Sequence, residues 1–476
     1  MNNILNQASR CLQCKKPRCR QGCPIHTNIP EMIRLLKEKD VMTAAGMLFE
    51  NNPLSIVCSL VCDTEKQCEG HCVLGIKGEP VAISEIEQYI SNSCFERIRL
   101  SMEPENGKRV AVIGSGPAGL TIAVILRQRG YKVTIFEVRE KIGGIMRYGI
   151  PAYRLPRSIL DRYYEKLKSL GIQFRPNMAI GGAVGIQDLL DDGYSSVFVG
   201  TGAWKPRKLN IPGETFGNVQ YAVNYLNSPE VYDLGEKVAV IGAGNSAMDA
   251  ARTAVREGAR EVTVYVRSDK PAASEEEVDY AVIDGVQFEF MKSPVEITDE
   301  GVIMADTEMD ENGKIRILED TARLIEVDTV MIAVSQVPQN RLVSRDPQLQ
   351  LTDHGTLRTD DCGETTMPGV FASGDVVTGA KTVVHAVAQS KLIADAMDQY
   401  MQQACSEACL QDCSERSSPF SVGQTGKHSV KTASEQDQKA MKRPKESQDL
   451  SKLDERVSLE LKIIFKIDRI SHILLL

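Results

Sequence analysis

Eight of the 13 cysteines lie within the first 72 residues, in two groups of four. The first group is Cys11, Cys14, Cys19 and Cys23, and the second is Cys58, Cys62, Cys68 and Cys72. Eight thiols in two groups can hold two [4Fe–4S] clusters, and the Cys23–Pro24 pair is typical of the end of a ferredoxin cysteine run. Zinc is the alternative, because a Cys-x2-Cys pair also begins zinc ribbons.

A second kind of candidate site is a glycine-rich loop that follows the apolar run VAVI and precedes a helical pattern. Its residues are Gly114, Gly116, Pro117, Ala118 and Gly119. A GxGxxG loop between a strand and a helix predicts a dinucleotide-binding turn, in which Gly116 lets the backbone approach a pyrophosphate. Glu137 ends the next strand, 18 residues after Gly119, where a carboxylate can accept hydrogen bonds from ribose hydroxyls.

The same order of strand, glycine loop and helix returns in the run VAVIGAGNSA. The residues of this second loop are Gly242, Gly244, Asn245, Ser246 and Ala247, with alanine in place of the third glycine. The strand that follows carries Val266 where the first copy has Glu137, and Arg267 comes next. An acid at this place binds the ribose of NAD, whereas an arginine accommodates a 2′-phosphate, so the pattern favours NADP over NAD.

A third apolar strand ends at Gly374-Asp375, just before a helical run. This arrangement predicts a flavin contact, with Asp375 bound to a ribityl or ribose hydroxyl and a helix dipole directed at the ring. A simple helix cap is the alternative for Asp375. Two nested dinucleotide folds indicate a flavin that exchanges electrons with a nicotinamide, and in that company iron–sulfur clusters are favoured over zinc.

Composition and charge exclude several classes of protein. The 476 residues are 42% hydrophobic and 25% charged, as in ordinary globular proteins. A net charge of −8 and a single Trp argue against general nucleic-acid binding. Neither a membrane span nor an apolar leader is recognisable, so we expect a cytoplasmic protein, where clustered cysteines are metal ligands more often than disulfides.

The elements that must position these residues alternate between strands and helices. This predicts an α/β fold with two nested Rossmann-like dinucleotide-binding domains and an N-terminal α-helical iron–sulfur domain. We expect the iron–sulfur domain over residues 1–105, the FAD domain over 106–233 plus 345–403, and the NAD(P)H domain over 234–344. Residues 404–476 are expected to be a polar linker and tail, which contains Cys405, Cys409 and Cys413.

Several stretches together resemble the glutamate synthase small-subunit (β-subunit) family and its relatives, the N-terminal half of dihydropyrimidine dehydrogenase and NADPH–ferredoxin oxidoreductase subunits. They span residues 9 to about 403 and are SRCLQCKKPRCRQGCPIHTNIPEMI, NNPLSIVCSLVCDTEKQCEGHCVLGIKGEPVAI, GSGPAGL, GGIMRYGIPAYRLP, GAGNSAMDAAR and VFASGDVVTGAKTVV. The resemblance implies two [4Fe–4S] clusters, FAD and NAD(P)H as cofactors. It also adds Gly144 to the cofactor-binding residues.

The same resemblance implies a ligand set for each cluster. One cluster would be bound by Cys11, Cys14, Cys19 and Cys72. The other would be bound by Cys23, Cys62 and Cys68 together with a non-cysteine ligand, which counting from Pro80 places at Glu87, with Gln88 as the adjacent alternative. Cys58 would then be a structural thiol.

The function implied is that of an electron-input flavoprotein. Hydride would pass from NAD(P)H to FAD, and single electrons would pass through the clusters to a large FMN-type flavoprotein subunit or a ferredoxin-like acceptor, in a hetero-oligomer. Hydride transfer depends on orientation rather than on a proton-shuttling side chain, so no catalytic residue is expected.

The residues leave three alternative functions to be weighed against this one. Glu87 and RYGIP favour the glutamate synthase branch, whereas GAKTVVHAV favours an electron-input subunit of an NAD(P)-dependent dihydropyrimidine dehydrogenase. A dithiol reductase similar to thioredoxin reductase is disfavoured, because no cysteine lies between Cys94 and Cys362. A redox- or zinc-regulated binding protein without turnover is the alternative of another class.

Overall fold

The computed structural model describes residues 2–311, 313–339 and 341–415, and residues 3–402 form one compact unit. Residues 416–476 of the expected tail (404–476) lie outside the described residues, as do the side chains of Cys405, Cys409 and Cys413. Among the described residues, no helix combines the length and the apolar character that crossing a membrane requires.

The α-helices of the described residues are α1 (Asn2–Arg10), α2 (Arg18–Gly22), α3 (Ile29–Lys37), α4 (Val41–Asn51), α5 (Ser55–Val61), α6 (Ile83–Cys94), α7 (Pro117–Gln128), α8 (Ile145–Tyr148), α9 (Arg157–Ser169), α10 (Ile186–Asp191), α11 (Ala222–Tyr225), α12 (Asn245–Arg256), α13 (Glu275–Ile283), α14 (Arg341–Arg345), α15 (Asp375–Thr378) and α16 (Val383–Glu415). Short 3-10 helices cover Val73–Ile76, Phe95–Arg97 and Pro229–Val231.

The strands are β1 (Arg109–Ile113), β2 (Lys132–Phe136), β3 (Gln173–Arg175), β4 (Ser196–Val199), β5 (Lys205–Pro206), β6 (Val219–Tyr221), β7 (Lys237–Ile241), β8 (Glu261–Val266), β9 (Gln287–Phe290), β10 (Lys292–Thr298), β11 (Gly301–Met309), β12 (Ile315–Glu326), β13 (Thr329–Ile332), β14 (Gln336–Val337) and β15 (Val370–Ala372). They confirm the α/β fold class and the repeat of strand, glycine loop and helix.

The N-terminal region, through α6, is helical and packs on an apolar core. On α3, the buried residues Ile29, Met32, Ile33 and Leu36 recur at helical spacing and so form one apolar face. Phe95, just after α6, stacks edge-on with Tyr163 of α9 at a centroid distance of 4.6 Å. This region therefore shares its core with the first dinucleotide-binding fold.

The first sheet has the order β15-β4-β1-β2-β3, and all its pairings are parallel. Its central strand β1 is buried over Val110–Ile113, as a parallel strand covered on both faces must be. The carboxyl ends of β1, β2, β4 and β15 lie at one edge. Residues that follow these four strands are consequently brought together there.

The second sheet has the order β6-β13-β7-β8-β9, again all parallel, and its sequence is inserted between β4 and β15 of the first sheet. One of its strands, Val219–Tyr221, precedes residue 234, where the second domain was expected to begin. The strand is only three residues long and has no glycine loop after it. Its membership of this sheet is visible only from its pairing, in which Val219 lies opposite Val330.

Helix α16 continues to Glu415, beyond residue 403, where the FAD domain was expected to end. Residues 383–415 contain neither glycine nor proline, so nothing in this stretch interrupts the backbone hydrogen bonds.

Candidate functional site

A cavity of about 560 Å³ lies at the carboxyl edge of the first sheet, a volume typical of small-molecule and cofactor sites. The predicted site residues that line it are Gly114, Gly116, Pro117, Ala118, Glu137, Gly144, Gly374 and Asp375. They come from distant parts of the chain and meet because β1, β2 and β15 end at the same edge. Gly119 is the exception among the first-loop residues, because it lies behind the cavity wall.

The glycines of the first loop serve two different purposes. A Cβ on Gly119 would lie 2.0 Å from the carbonyl oxygen of Gly114, so this glycine permits close packing of the loop on α7. Gly114 has a φ of +97°, which favours glycine. A Cβ on Gly116 would meet no protein atom within 4 Å. The space in front of Gly116 is therefore left for a ligand, as a pyrophosphate-binding glycine requires.

Glu137 is buried and stabilises the loop that it faces. Its Oε2 accepts hydrogen bonds from the backbone N–H of Ser115 at 2.8 Å and from the Ser115 hydroxyl at 2.5 Å. Its Oε1 accepts one from the backbone N–H of Arg139 at 3.0 Å. A carboxylate offers about four acceptor positions, so these three bonds leave room for a ribose hydroxyl.

Two residues of the cavity wall, Arg139 and Trp204, carried no signal in the sequence. The Arg139 guanidinium lies over the rings of Tyr148 and Trp204, 4.4 and 4.9 Å from their centroids, and donates to the Asn227 side chain at 2.6 Å. These contacts hold a planar cation and an indole ring at the cavity edge. Neither belongs to a motif, and only folding brings residue 204 beside residue 139.

Gly374 and Asp375 close the other side of the cavity. Gly374 has a φ of +76°, which directs the chain from β15 into α15. Burial raises the pKa of the Asp375 carboxyl to about 6, against the opposing effect of the Lys381 backbone N–H that donates to it at 3.1 Å. Lys381, Thr382 and the first turn of α16 also line the cavity, so the positive end of this helix dipole faces it.

The second glycine loop has the same backbone features. Gly242 has a φ of +150°, and a Cβ there would lie 2.5 Å from the carbonyl oxygen of Ala333. A Cβ on Gly244 would meet nothing within 4 Å, which again leaves open space for a ligand. Ala247, in place of the third glycine, is buried, whereas Ser246 and Arg267 are exposed.

A segment that sequence reasoning missed lies against this second loop. The backbone N–H groups of Ala272 and Ala273 both donate to the carbonyl oxygen of Ala243 at 2.8 Å. The side-chain oxygen of Asn245 accepts from the backbone N–H of Ser274 at 3.0 Å. Asn245 therefore joins the glycine loop to the start of α13.

Four thiols surround a second, smaller cavity of about 30 Å³ in the helical region. They are Cys11, Cys14, Cys19 and Cys72, which we call the outer thiol site because all four are partly exposed. Burial is the main cause that raises the pKa of the Cys19 thiol to about 11; the neighbouring thiols act in the same direction, and the backbone N–H of Arg20 opposes them. A metal centre would favour the thiolates that the protein alone disfavours, so this donor set fits an iron–sulfur cluster.

The remaining predicted ligands form an inner thiol site of Cys23, Cys62, Cys68 and Glu87. A hydrogen bond with Cys58 and burial hold the pKa of Cys62 well above its usual value. Burial raises the pKa of Cys68, and the charges of Glu87 and Cys23 act in the same direction. Burial also raises the pKa of Glu87 to about 8. The structure thus places this carboxyl among the thiols, with Cys58 beside Cys62.

In the described part of the chain, no three His, Cys, Asp or Glu side chains converge closely enough to enclose a single metal ion. A [4Fe–4S] cluster is held by one thiolate on each of four irons, so its ligands stand further apart than those of one ion. The wider spacing of the outer thiol site is compatible with such a cluster.

Comparison with protein families gives two matches. Residues 73–192 and 108–390 match the pyridine nucleotide-disulphide oxidoreductase family. Residues 1–98 match the family described as dihydropyrimidine dehydrogenase domain II, 4Fe-4S cluster. The two matches fall on the dinucleotide-binding folds and on the helical region that carries the two thiol sites.

Curated relatives cover most of the chain. The glutamate synthase [NADPH] small chain of Escherichia coli is 34% identical over 83% of this chain and 91% of its own length. The NAD-dependent dihydropyrimidine dehydrogenase subunit PreT of Salmonella typhimurium is 31% identical over 84% of this chain and 95% of its own length. The resemblance inferred from the sequence motifs is confirmed.

Among solved structures, Mycobacterium tuberculosis FprA in complex with NADPH superposes with a TM-score of 0.53. It is 20% identical and covers 64% of this chain and 86% of its own. At that identity the likeness supports the fold, namely two dinucleotide-binding domains of which one is inserted into the other.

Proposed function

From its membership of the pyridine nucleotide-disulphide oxidoreductase family, we propose that the chain passes electrons from NADPH to a separate partner protein. It is an NAD(P)H-dependent oxidoreductase related to the glutamate synthase small chain. The observation that carries the proposal is that one compact unit contains both a dinucleotide-sized cavity and a four-thiol cavity. A binding protein without enzymatic turnover would not need both cavities together.

The larger cavity is proposed to bind FAD through this chain's own backbone and carboxylates. Gly116 would admit the pyrophosphate, Glu137 would accept from a ribose hydroxyl, and Asp375 from a hydroxyl nearer the ring. Bound FAD supplies a hydride acceptor that releases electrons singly, and [4Fe–4S] clusters carry single electrons. The positive end of α16 would stabilise negative charge on the bound ring.

We propose two clusters, one at each thiol site. The inner site lies against the first dinucleotide-binding fold. Cys23 interacts electrostatically with Lys391 of α16, and Cys58, beside Cys62, interacts in the same way with Tyr163 of α9. The outer site reaches the surface, since all four of its cysteines are partly exposed. This order supports electron flow from the flavin cavity through the inner site to the outer one.

The nicotinamide nucleotide is proposed to bind at Gly242–Ala247 in the second fold, which we take to include β6. The space in front of Gly244 and the exposed Arg267 at the end of β8 support NADPH. Replacing Arg267 with Ala should raise KM for NADPH several-fold and leave KM for NADH unchanged. Equal effects on both nucleotides would contradict the assignment.

The partner is proposed to be a large flavoprotein subunit, because the relatives include a glutamate synthase small chain, or a ferredoxin-like acceptor that takes single electrons from the same clusters. We propose a cytoplasmic location, since reducing conditions keep clustered cysteines available as metal ligands.

Two matched glycine variants test the proposed function. Gly116→Val and Gly244→Val each point a side chain into open space, so both proteins should fold. We expect Gly116→Val to lose FAD and retain iron, and Gly244→Val to retain FAD and iron but not to be reduced by NADPH. Dithionite should still reduce Gly244→Val, as followed by the visible spectrum.

The packing control is Gly119→Val, which must clash with the Gly114 carbonyl and destabilise the fold. Stoichiometric FAD in purified Gly116→Val, or reduction of Gly244→Val by NADPH at the normal rate, would refute the cofactor assignments.

A cysteine variant tests the outer thiol site. Cys14→Ala should lose about one cluster's iron, keep FAD and NADPH–dye reduction, and lose electron delivery to the partner.

A second candidate is the electron-input subunit of a dihydropyrimidine dehydrogenase, because the PreT relative matches over 95% of its length. Reconstitution with each kind of partner separates the two. NADPH-driven glutamate formation with a glutamate synthase large chain supports the first proposal, and pyrimidine reduction with a pyrimidine-reducing subunit supports the second.

A further inference from the structure

The outer thiol site opens on a strongly basic surface. Two segments that border this site, residues 12–20 and 73–77, define what we call the cluster face. They contain no Asp or Glu, and their basic residues are Lys15, Lys16, Arg18, Arg20 and Lys77. All five are exposed, and within the described residues none of them forms an ion pair. This is unusual on a chain whose net charge is −8.

The same face exposes two large apolar side chains. Leu12, between Cys11 and Cys14, is 62% exposed and lines the cavity of the outer thiol site. Ile76 is 65% exposed and ends the 3-10 helix that follows Cys72. Exposed apolar side chains beside basic ones offer a protein partner both apolar and charged contacts.

The cluster face borders the outer thiol site where that site opens to the surface. The outer thiol site reaches the surface beside Leu12 and all four of its cysteines are partly exposed, whereas Cys23 and Cys68 of the inner site are buried. The cluster face is therefore where electrons would leave the molecule.

We propose that the cluster face is the docking surface for an acidic, one-electron acceptor protein, held by Lys15, Lys16 and their basic neighbours around Leu12 and Ile76. This inference rests on the proposed electron-transfer function. Each NADPH oxidised to NADP⁺ and a proton would supply two electrons, which reduce two acceptor molecules by one electron each. Complementary charge would accelerate encounter, and the apolar contacts would slow dissociation.

The test uses the holoprotein and an acidic [4Fe–4S] ferredoxin as the probe. Binding is measured by anaerobic calorimetry over a salt series, together with NADPH-driven ferredoxin reduction. In Lys15→Glu/Lys16→Glu we expect the Kd to rise about tenfold at low salt, and its salt dependence to become shallower. NADPH–dye reduction, FAD and iron should be unchanged, because neither lysine lies in a cofactor site.

A matched control, Lys314→Glu/Arg316→Glu, makes the same change of charge on the exposed hairpin of β11 and β12 and should leave the Kd unchanged. Ile76→Ser should raise the Kd several-fold without altering the salt dependence.

Three results would overturn the docking proposal: no ferredoxin binding by the wild-type holoprotein, an unchanged Kd in the lysine variant, or an equal loss in the control. Failure of the proposed function looks different, because NADPH would then reduce neither dye nor ferredoxin.

Discussion

At the residue scale, two carboxyl groups on the flavin cavity are held in different ways. Glu137 accepts three hydrogen bonds, from Ser115 and Arg139, whereas Asp375 accepts one from the backbone N–H of Lys381, whose charge also acts to lower its pKa against the effect of burial. Burial therefore raises the pKa of Asp375 to about 6.

This raised pKa gives a pH prediction for the protein without FAD. An unfolded Asp titrates near pH 3.9, so the folded state binds more protons between about pH 4 and 6. The contribution of Asp375 to stability is consequently greatest below pH 4 and decreases as the pH rises through 6. A flavin hydroxyl that donates to Asp375 favours the ionised form. FAD affinity should increase about three- to tenfold from pH 5 to 7.

Fluorescence titration of the apo-protein with FAD measures this effect. Asp375→Asn should remove most of the pH dependence, because the amide does not titrate. A variant that keeps the wild-type profile would show that another group is responsible.

Glu87 carries a second prediction at this scale. It lies among Cys62 and Cys68, whose pKa values its charge raises. If it binds the inner cluster, Glu87→Ala should lose about one cluster's iron, while Glu87→Gln keeps an oxygen ligand and retains it. Iron analysis and low-temperature EPR of the reduced protein check this, with Gln88→Ala as the neighbouring control. Full iron in Glu87→Ala would exclude Glu87 as a ligand.

At the element scale, α13 takes its N-terminal cap from the iron–sulfur region. The N-cap residue Ser274 makes no side-chain capping bond. Instead the two carboxylate oxygens of Glu65, in the loop between Cys62 and Cys68, accept from the backbone N–H groups of Glu275 and Glu276 at 3.0 Å. Glu65→Ala should destabilise α13 by about 1 kcal/mol and increase amide hydrogen exchange over 275–283. Glu65→Gln, which keeps one hydrogen-bond acceptor, should destabilise α13 less than Glu65→Ala does.

A buried ion network joins the two dinucleotide-binding folds. Arg154, after α8, binds Asp249 of α12 at 2.7 Å and Glu277 of α13 at 2.6 Å, and all three side chains are nearly buried. Removing the Arg154 guanidinium leaves the buried Asp249 carboxylate without its ion-pair partner, while Arg252 still binds Glu277 at 3.0 Å, so Arg154→Met should cost about 3 kcal/mol of stability. Chemical denaturation measures the loss. Arg260→Met, which removes an exposed pair with Glu236, should cost less than about 1 kcal/mol.

At the scale of the whole molecule, the flavin cavity is built from segments that are distant along the chain. Residues from loop 114–118, loop 137–144 and the start of α16 all line it. A ligand that binds only the folded state therefore stabilises the entire compact unit. Saturating FAD, at about 1,000 times its Kd, should add about 4 kcal/mol and raise the Tm of the apo-protein.

Scanning calorimetry of apo-protein with and without added FAD tests this prediction. The Gly116→Val protein is the control, because its Tm should not respond to FAD. A wild-type Tm that is insensitive to FAD would mean that the cofactor binds elsewhere or not at all.

The features that the sequence alone determined are those that depend on residues adjacent along the chain. The two glycine loops, the strands before them and the helices after them follow from short-range rules, since positive φ values, apolar runs and helix starts depend on neighbouring residues. The α/β class and the relationship to the glutamate synthase small chain followed from the same local motifs. The first strand of the second fold, β6, has no such local signature and lies before residue 234, where the sequence led us to expect the second domain to begin.

Only the tertiary structure decided which distant residues meet. Spacing along the chain suggests two thiol groups of four consecutive cysteines, and the interleaved grouping was implied only by the family resemblance. In the folded chain Cys72 lies with Cys11, Cys14 and Cys19, and Cys23 lies near Cys68. Arg139 and Trp204 in the cavity wall, Glu65 at α13 and Arg154 between the folds are likewise products of long-range packing. Such contacts depend on which helix faces pack together and in which order the strands pair, and no short stretch of sequence contains that information.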